Sequence, residues 1–436
     1  MTGIDLWELL PKVQQYVAQY YTAALTEDQK HHQLRSYIEK YILDGGYAVE
    51  GFADKELIDR IYSEMVEYSV LTPYLGSWDL DEVNINSWDD ITLTYSDGRT
   101  EKLTEHFHSP QHALDIVKRL LHHSNMVIDN ASPIAQGHLP HHTRITAIKC
   151  PIVDEECGIS VSIRFLRPQK MDRDCLIENG MATEEMMAFL ETCLRYGVSV
   201  IIAGRTSSGK TTLLNALLGG IPDEKRVYTI ESGARELFLV KRDHDGRILN
   251  NVVHTLSRPS ENSAYRVTQT QLVTASLRFD PDLVALGEIR DEEAYSAVEA
   301  SLTGHTVAAT VHSGPAGAAH GRIALLCQRR FQLGMEVSLM QTRQAFPVVV
   351  FTHKCEDHTR KIMDISECAV TPEGKSEYRC LYRYAITENE YQNGAYTVRG
   401  HFEKGEPPSE ALKDMLIRSG VPLETLRVFC QKEALT

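Results

Sequence analysis

The feature that most constrains this chain is a glycine-framed loop set between two apolar segments. Ser199-Val200-Ile201-Ile202-Ala203 is a short apolar run suited to a buried parallel strand. Gly204-Arg205-Thr206-Ser207-Ser208-Gly209-Lys210-Thr211-Thr212 follows, a complete G-x-x-x-x-G-K-[ST] string. Leu213-Leu214-Asn215-Ala216-Leu217-Leu218 continues as an apolar helix that Gly219-Gly220 and Pro222 stop. Strand, loop and helix in that order are the context in which such a string cradles polyphosphate. The glycines let the backbone wrap closely, and the loop N–H groups and helix start point at the phosphates. Lys210 then reaches the β- and γ-phosphates, and the Thr211 hydroxyl ligates Mg²⁺.

A chain of 436 residues is too long for one comfortable core, so two to four domains are expected. A hydrophobic fraction of 42% and a charged fraction of 24% are those of an ordinary soluble globular protein. The net charge of -15 argues against a general nucleic-acid coat, which needs a basic field. The opening Met1-Thr2-Gly3-Ile4-Asp5-Leu6 has no basic region ahead of an apolar one, so no secretory signal is expected. No apolar run approaches the ~20 residues that cross a bilayer. Nine cysteines without a C-x-x-C pair fit a reducing cytosol. The histidine-rich stretches Glu105-His106-Phe107-His108 and His138-Leu139-Pro140-His141-His142 lack metal-ligand spacing, so no structural metal is expected there.

The pattern divides the chain. Val13, Tyr16, Val17, Tyr20, Tyr21 and Ala24 repeat at helical spacing, and further helices are expected over Leu34 to Leu43 and Glu56 to Tyr68. From about Leu75 the period becomes two, with strands around Val83 to Asn86 and Ile91 to Tyr95 and a turn at Asp97-Gly98. Ser109-Pro110 opens a helix through Leu121, and strands follow at Thr143 to Ile148 and Ile159 to Phe165. The polar stretch from Pro168 to Asp174 reads as a linker. Beyond it, apolar runs at 227–230, 283–286, 306–310 and 346–351 alternate with helical segments, which indicates a doubly wound, mostly parallel sheet. Leu237 to Val240 and Ile248 to Val253 flank Asp245-Gly246 as an expected hairpin, and Asn393-Gly394 marks another. The expected layout is 1–70 helical, 71–168 α+β, 169–175 linker, 176–370 phosphate-binding and 371–436 a C-terminal α/β extension.

A phosphate loop needs an acid near Mg²⁺ and a group that orients the attacking water. Glu231 ends the run Val227-Tyr228-Thr229-Ile230, and Glu288 follows Leu283-Val284-Ala285-Leu286-Gly287. Strand C-termini line the ligand crevice of an open α/β sheet, so both carboxylates are candidates. His305 precedes the apolar strand Thr306 to Thr310 and His312 follows it, near opposite ends of a strand of ~20 Å. An imidazole donates to a phosphate oxygen, or else simply packs.

With these motifs in this order, the chain resembles the type II/type IV secretion ATPase superfamily, the group of VirB11-like, GspE-like and CpaF/TadA-like pilus and secretion motors. The matching residues are the loop Gly204 to Thr212 and Thr229-Ile230-Glu231, similar to the family's aspartate box. The segment Leu277 to Arg290 is similar to its Walker B region, and Thr303-Gly304-His305 with His312 to its histidine box. Arg144 and Arg164 match the N-domain arginines that cap the nucleotide in the family. The helical N-terminus and the tail from Gly400-His401-Phe402 are closer to the CpaF/TadA-like branch.

The resemblance implies a RecA-like P-loop domain with a mostly parallel sheet, preceded by a helical segment and an α+β N-terminal domain. It implies ATP hydrolysis with Mg²⁺. Gly204, Arg205, Thr206, Ser207, Ser208, Gly209, Lys210, Thr211 and Thr212, with Arg144 and Arg164, would hold the nucleotide. Thr211, Glu288 and Glu231 would serve the metal, with one of Glu288 and Glu231 polarising water and the other complementing it; His305 and His312 would sense the γ-phosphate. The implied partners are further copies of the chain in a homohexameric ring and an inner-membrane platform protein of a pilus or secretion system. The implied place is the cytoplasmic face of the membrane, reached only through that partner, and no nucleic acid is expected. Two departures stand out: Ser232 occupies a position where the family commonly has aspartate, and Phe279-Asp280-Pro281-Asp282 stands where it commonly has Arg-Pro-Asp-Arg. Ser232 prompts the alternative of a nucleotide-binding scaffold with little turnover. A GTPase is the other alternative, from Asp243-His244-Asp245-Gly246 and His353-Lys354-Cys355-Glu356, although the second string lacks the Asn and Asp that read guanine.

Overall fold

The computed structural model describes residues 2–21, 31–77, 79–122, 124, 126–140, 143–166, 172–258, 264–331, 333–370, 376–392 and 394–431. Ala24, His141, His142, Asn393 and the first part of the expected linker, 168–171, lie outside them. The chain divides into two compact units, Met1–Arg167 and Pro168–Thr436.

In the first unit, helices Leu6–Tyr20, His31–Gly45 and Asp54–Val66 share a core of Leu9, Val13, Val17, Leu34, Ile38, Ile42, Leu57 and Ile61. These positions recur every three or four residues, so each helix buries one stripe. Tyr20, expected on that stripe, is exposed because it ends its helix. A six-stranded antiparallel sheet follows, in the order Thr100–Lys102, Asp90–Tyr95, Leu80–Ser87, Ile159–Phe165, Thr143–Lys149, Ile134–Leu139. Helix Pro110–His122 buries Ala113, Leu114, Ile116, Val117, Leu120 and Leu121 in the core that this sheet shares. Each of its larger side chains contributes about 1.5–3 kcal/mol by leaving water. Ser109 caps the helix, its Oγ accepting the His112 N–H at 3.2 Å.

The second unit is built on a nine-stranded sheet. Its order is Val252–Leu256, Val227–Glu231, Leu283–Ile289, Thr306–His312, Val200–Gly204, Val348–Lys354, Arg360–Val370, Ser376–Gln392, Ala395–Lys404. The first six strands run parallel and the last three join antiparallel. Val200 and Ile202 pack into one apolar core and Ile201 and Ala203 into another, so this strand is buried on both faces. That accounts for its unbroken apolar run.

One expectation is corrected. The hairpin at 237–253 reduces to a tight turn with one bridge, Arg242 to Ile248, while Val252–Leu256 pairs in parallel with Val227–Glu231. In the tail, Ser376–Gln392 and Ala395–Lys404 extend the same sheet. No helix among the described residues is long and apolar enough to cross a membrane.

Candidate nucleotide site

The parallel register brings the motifs to one end of the sheet. His312 pairs with Gly204, and Gly204 with Thr352, so the glycine loop leaves the sheet beside His312 on one flank and Thr352 on the other. Close packing demands glycine at 204: a Cβ there would lie 2.5 Å from the Thr352 carbonyl oxygen. Ser207 and Gly209 both have left-handed backbone, with φ of 60° and 90°. Helix Lys210–Gly219 starts at once, so its free N–H groups face the loop's concavity.

Lys210 is 6% exposed. Its Nζ donates to the Arg205 carbonyl at 2.7 Å and lies 3.5 Å from His312 Nδ1. The other imidazole nitrogen, Nε2, is 3.4 Å from Glu288 Oε1. These partners fit a neutral ring with its proton on Nε2. Burial and the adjacent Lys210 ammonium both hold the His312 pKa below its usual value, against a smaller opposing pull from Glu288. Glu288 Oε2 pairs with Arg290 Nη2. Lys210, His312, Glu288 and Arg290 thus form one chain of contacts at the loop's mouth.

Glu231 behaves differently. Its Oε1 accepts the backbone N–H groups of Glu236 and Leu237 at 2.7 and 2.9 Å. Its Oε2 is buried and has no hydrogen-bond partner among the described residues. Burial pushes its pKa up to about 7, although the two amides oppose the shift. Gly287, on the neighbouring strand, leaves it room: a Cβ there would sit 3.2 Å from Glu231 Cγ. Ser232 and Gly233 begin the turn that brings residues 236 and 237 back over the carboxylate, with Gly233 left-handed at φ 81°. Thr211 and Thr212 are both half-buried in the first turn of the loop's helix.

His305 is not brought to the loop. It precedes the N-terminal end of Thr306–His312, whereas the loop lies at the C-terminal end, and a seven-residue strand separates the two histidines. Asp282 is likewise remote: it stands before the start of its strand and binds Lys225 Nζ and the Arg226 N–H, both at 2.8 Å. Asp243 to Gly246 is a closed turn, with Asp243 Oδ1 accepting the N–H groups of Asp245 and Arg247 at 2.9 Å.

In the first unit, Arg144 and Arg164 are directly opposed on neighbouring antiparallel strands, and Arg164 also opposes Glu82. Like charges in directly opposed positions destabilise a sheet.

Several contacts had no motif to announce them. Thr352 Oγ1 lies 2.9 Å from Ser208 Oγ in a buried pair, and Arg360 Nε donates to the Ser207 carbonyl at 2.9 Å. Glu293 accepts the N–H groups of Arg290 and Asp291 at 2.6 and 2.8 Å, fixing the turn after Glu288. The acid-rich start of helix Glu293–Leu302 was the one available signal for Glu293.

The family model described as "Type II/IV secretion system protein" matches residues 89–398, well over half of the chain. The chain belongs to that family. An uncharacterised protein of Methanocaldococcus jannaschii, MJ0900, is 35% identical over 199 residues, which is 46% of this chain and 34% of that protein. The type IV secretion system protein PtlH of Bordetella pertussis is 38% identical over 143 residues, 32% of this chain and 40% of PtlH. The chain therefore spans well under half the length of these two relatives. Among solved structures, the VirB11 ATPase of Brucella suis in complex with sulphate is 24% identical, covering 68% of this chain and 91% of that one at a TM-score of 0.36. Among the described residues, no group of three or more His, Cys, Asp or Glu is arranged to hold a metal ion by itself.

Proposed function

We propose that this protein is an ATPase that powers pilus assembly or protein secretion, with a RecA-like second unit and a closest kinship to the CpaF/TadA-like branch. The observation that carries the reading is the convergence of Lys210, His312 and Glu288 at the mouth of the glycine loop. Membership of the secretion family supports the setting. The loop suits a triphosphate, since it has a glycine where a Cβ would meet Thr352 and a helix N-terminus behind it.

Lys210 exchanges the Arg205 carbonyl and His312 for the β- and γ-phosphates. Glu288, released from Arg290, orients a water for in-line attack on the γ-phosphorus, and ADP leaves as the bond to its bridging oxygen breaks. His312 donates to a γ-phosphate oxygen. Mg²⁺, when bound, would neutralise phosphate charge; Thr211, with Glu288 or Glu231, would hold it. Arg144 and Arg164 are proposed, from the family resemblance, as further nucleotide-binding residues. The working form is a homohexameric ring that acts on an inner-membrane platform protein at the cytoplasmic face.

A second reading, a nucleotide-binding scaffold with little turnover, is favoured by one observation: Glu231 is committed to two backbone amides. Turnover of ATP and GTP by wild type, Lys210→Ala and Glu288→Gln separates the readings. The motor reading expects ATP turnover by wild type and a loss of about 100-fold or more in each variant. A wild type that binds ATP yet is as silent as both variants would establish the scaffold.

A further inference from the structure

The glycine loop is gripped from a part of the chain that no motif marks. Arg360, the first residue of the strand Arg360–Val370, holds the carbonyl of Ser207 through its Nε at 2.9 Å. Ser207 is a side-chain-bearing residue in left-handed backbone, at φ 60°, and such a conformation persists only where its surroundings enforce it. The Ser207 carbonyl and the Ser208 N–H belong to one trans peptide and point in opposite directions. Holding the carbonyl therefore fixes the direction of a loop N–H. The Arg360 side chain also passes close to the loop's second glycine, where a Cβ would meet its Cδ at 3.3 Å.

Arg360 is itself held. It follows a turn closed by the Cys355 N–H bond to the Thr359 carbonyl at 2.8 Å, with His358 left-handed at φ 66°. Asp357 Oδ1 accepts the Thr359 N–H at 3.0 Å and its hydroxyl at 2.7 Å. The other oxygen, Oδ2, accepts the N–H of Val398 at 3.2 Å, from the strand Ala395–Lys404. That strand and Ser376–Gln392 make a ribbon. Its ladder to Arg360–Val370 ends at the pair Asp364 and Arg383, and from Tyr384 to Gln392 the pairing is with Ala395 to Phe402. Near the tip, Tyr391 and Tyr396 face each other at 4.6 Å and are 62% and 46% exposed. A two-stranded ribbon is marginally stable alone, so it is an element that a partner or a neighbouring copy can displace.

We propose that Arg360 is a positioning residue for the phosphate loop, and that the ribbon acts on the loop through Val398, Asp357, Thr359 and Arg360. Displacing the ribbon frees the turn, releases the Ser207 carbonyl and weakens nucleotide binding. The inference rests on the nucleotide reading above.

The test is the KM and kcat for ATP of the full-length wild type, Arg360→Ala, Arg360→Lys and Asp357→Asn, with a melting temperature for each. Arg360→Ala is expected to raise KM about tenfold, the scale of one hydrogen bond to a charged group, with a smaller fall in kcat. Arg360→Lys restores much of the KM, because an ammonium can donate to the same carbonyl. Asp357→Asn cannot satisfy both Thr359 and Val398, so it raises KM in the same direction by a smaller factor. A wild-type KM in Arg360→Ala would overturn the positioning role, and a wild-type KM in Asp357→Asn alone would overturn the link to the ribbon. Should Arg360→Ala melt early, the lysine and Asp357→Asn proteins carry the comparison. A wild type that neither binds nor hydrolyses ATP would instead sink the nucleotide reading, and this inference with it.

Discussion

Glu231 and His254 lie on neighbouring strands and titrate in opposite senses. Burial pushes the Glu231 carboxyl up to about 7. Its contribution to stability is full below the unfolded value of about 4.5 and is lost as pH rises through about 7. Burial first, and then the charge of Arg235, push His254 down to about 4; its Nδ1 lies 2.8 Å from Thr229 Oγ1. That contribution is full above 6.5 and is lost as pH falls through about 4. Between those limits the two slopes oppose each other in the wild type. Urea unfolding without nucleotide, at pH 5 and pH 8, should separate them. Glu231→Gln is expected to stabilise the protein at pH 8, on the order of 3 kcal/mol, and to leave a stability that rises with pH. His254→Asn is expected to leave one that falls. Identical profiles for both variants and wild type would refute the pairing. At this scale the sequence was readable where a motif fixed a residue, as at Lys210 and Glu288. It marked Glu231 too, but not the surroundings of that carboxylate, which depend on a turn folding back, and it did not mark Thr352 and Arg360, which reach the loop from about 150 residues away in the chain. His305 sat in a matching motif, yet the length of its strand already separated it from His312.

Among the elements, the glycine loop is the one whose geometry allows least substitution. Gly204→Ala would press a methyl group onto the Thr352 carbonyl and the Ser208 hydroxyl, both close-packed. A loss of about 2 kcal/mol is expected in thermal or urea unfolding, together with weaker ATP binding. An alanine variant with wild-type stability and affinity would show that the loop relaxes freely. The central strands were legible because burial on both faces leaves an unbroken apolar run, as in Val200–Gly204 and Thr306–His312. Val252–Leu256 is half-buried at the sheet edge, and Ile134–Leu139 carries Gln136, Gly137 and His138, so neither presents that signature. The hairpin signal at Asn393-Gly394 falls between the paired strands Ser376–Gln392 and Ala395–Lys404, but the extent of Ser376–Gln392 was not legible, because most of its outer half is solvent-exposed and its alternation there is polar on both faces.

At the scale of the whole molecule, the proposed motor is expected to work as a ring of copies. Light scattering on the eluted full-length protein, with and without ATP, is expected to give a hexamer in at least one state. A monomer at every concentration and with every nucleotide would remove the ring. The central claim is that a triphosphate is held at the mouth of the Gly204–Thr212 loop, and a crystal structure with Mg²⁺ and a non-hydrolysable ATP analogue tests it most directly. The expected result is a terminal phosphate within hydrogen-bond reach of Lys210 Nζ, with the bond to the Arg205 carbonyl broken and Glu288 or Glu231 at the metal. A bound analogue whose terminal phosphate met neither Lys210 nor either of those acids would contradict it.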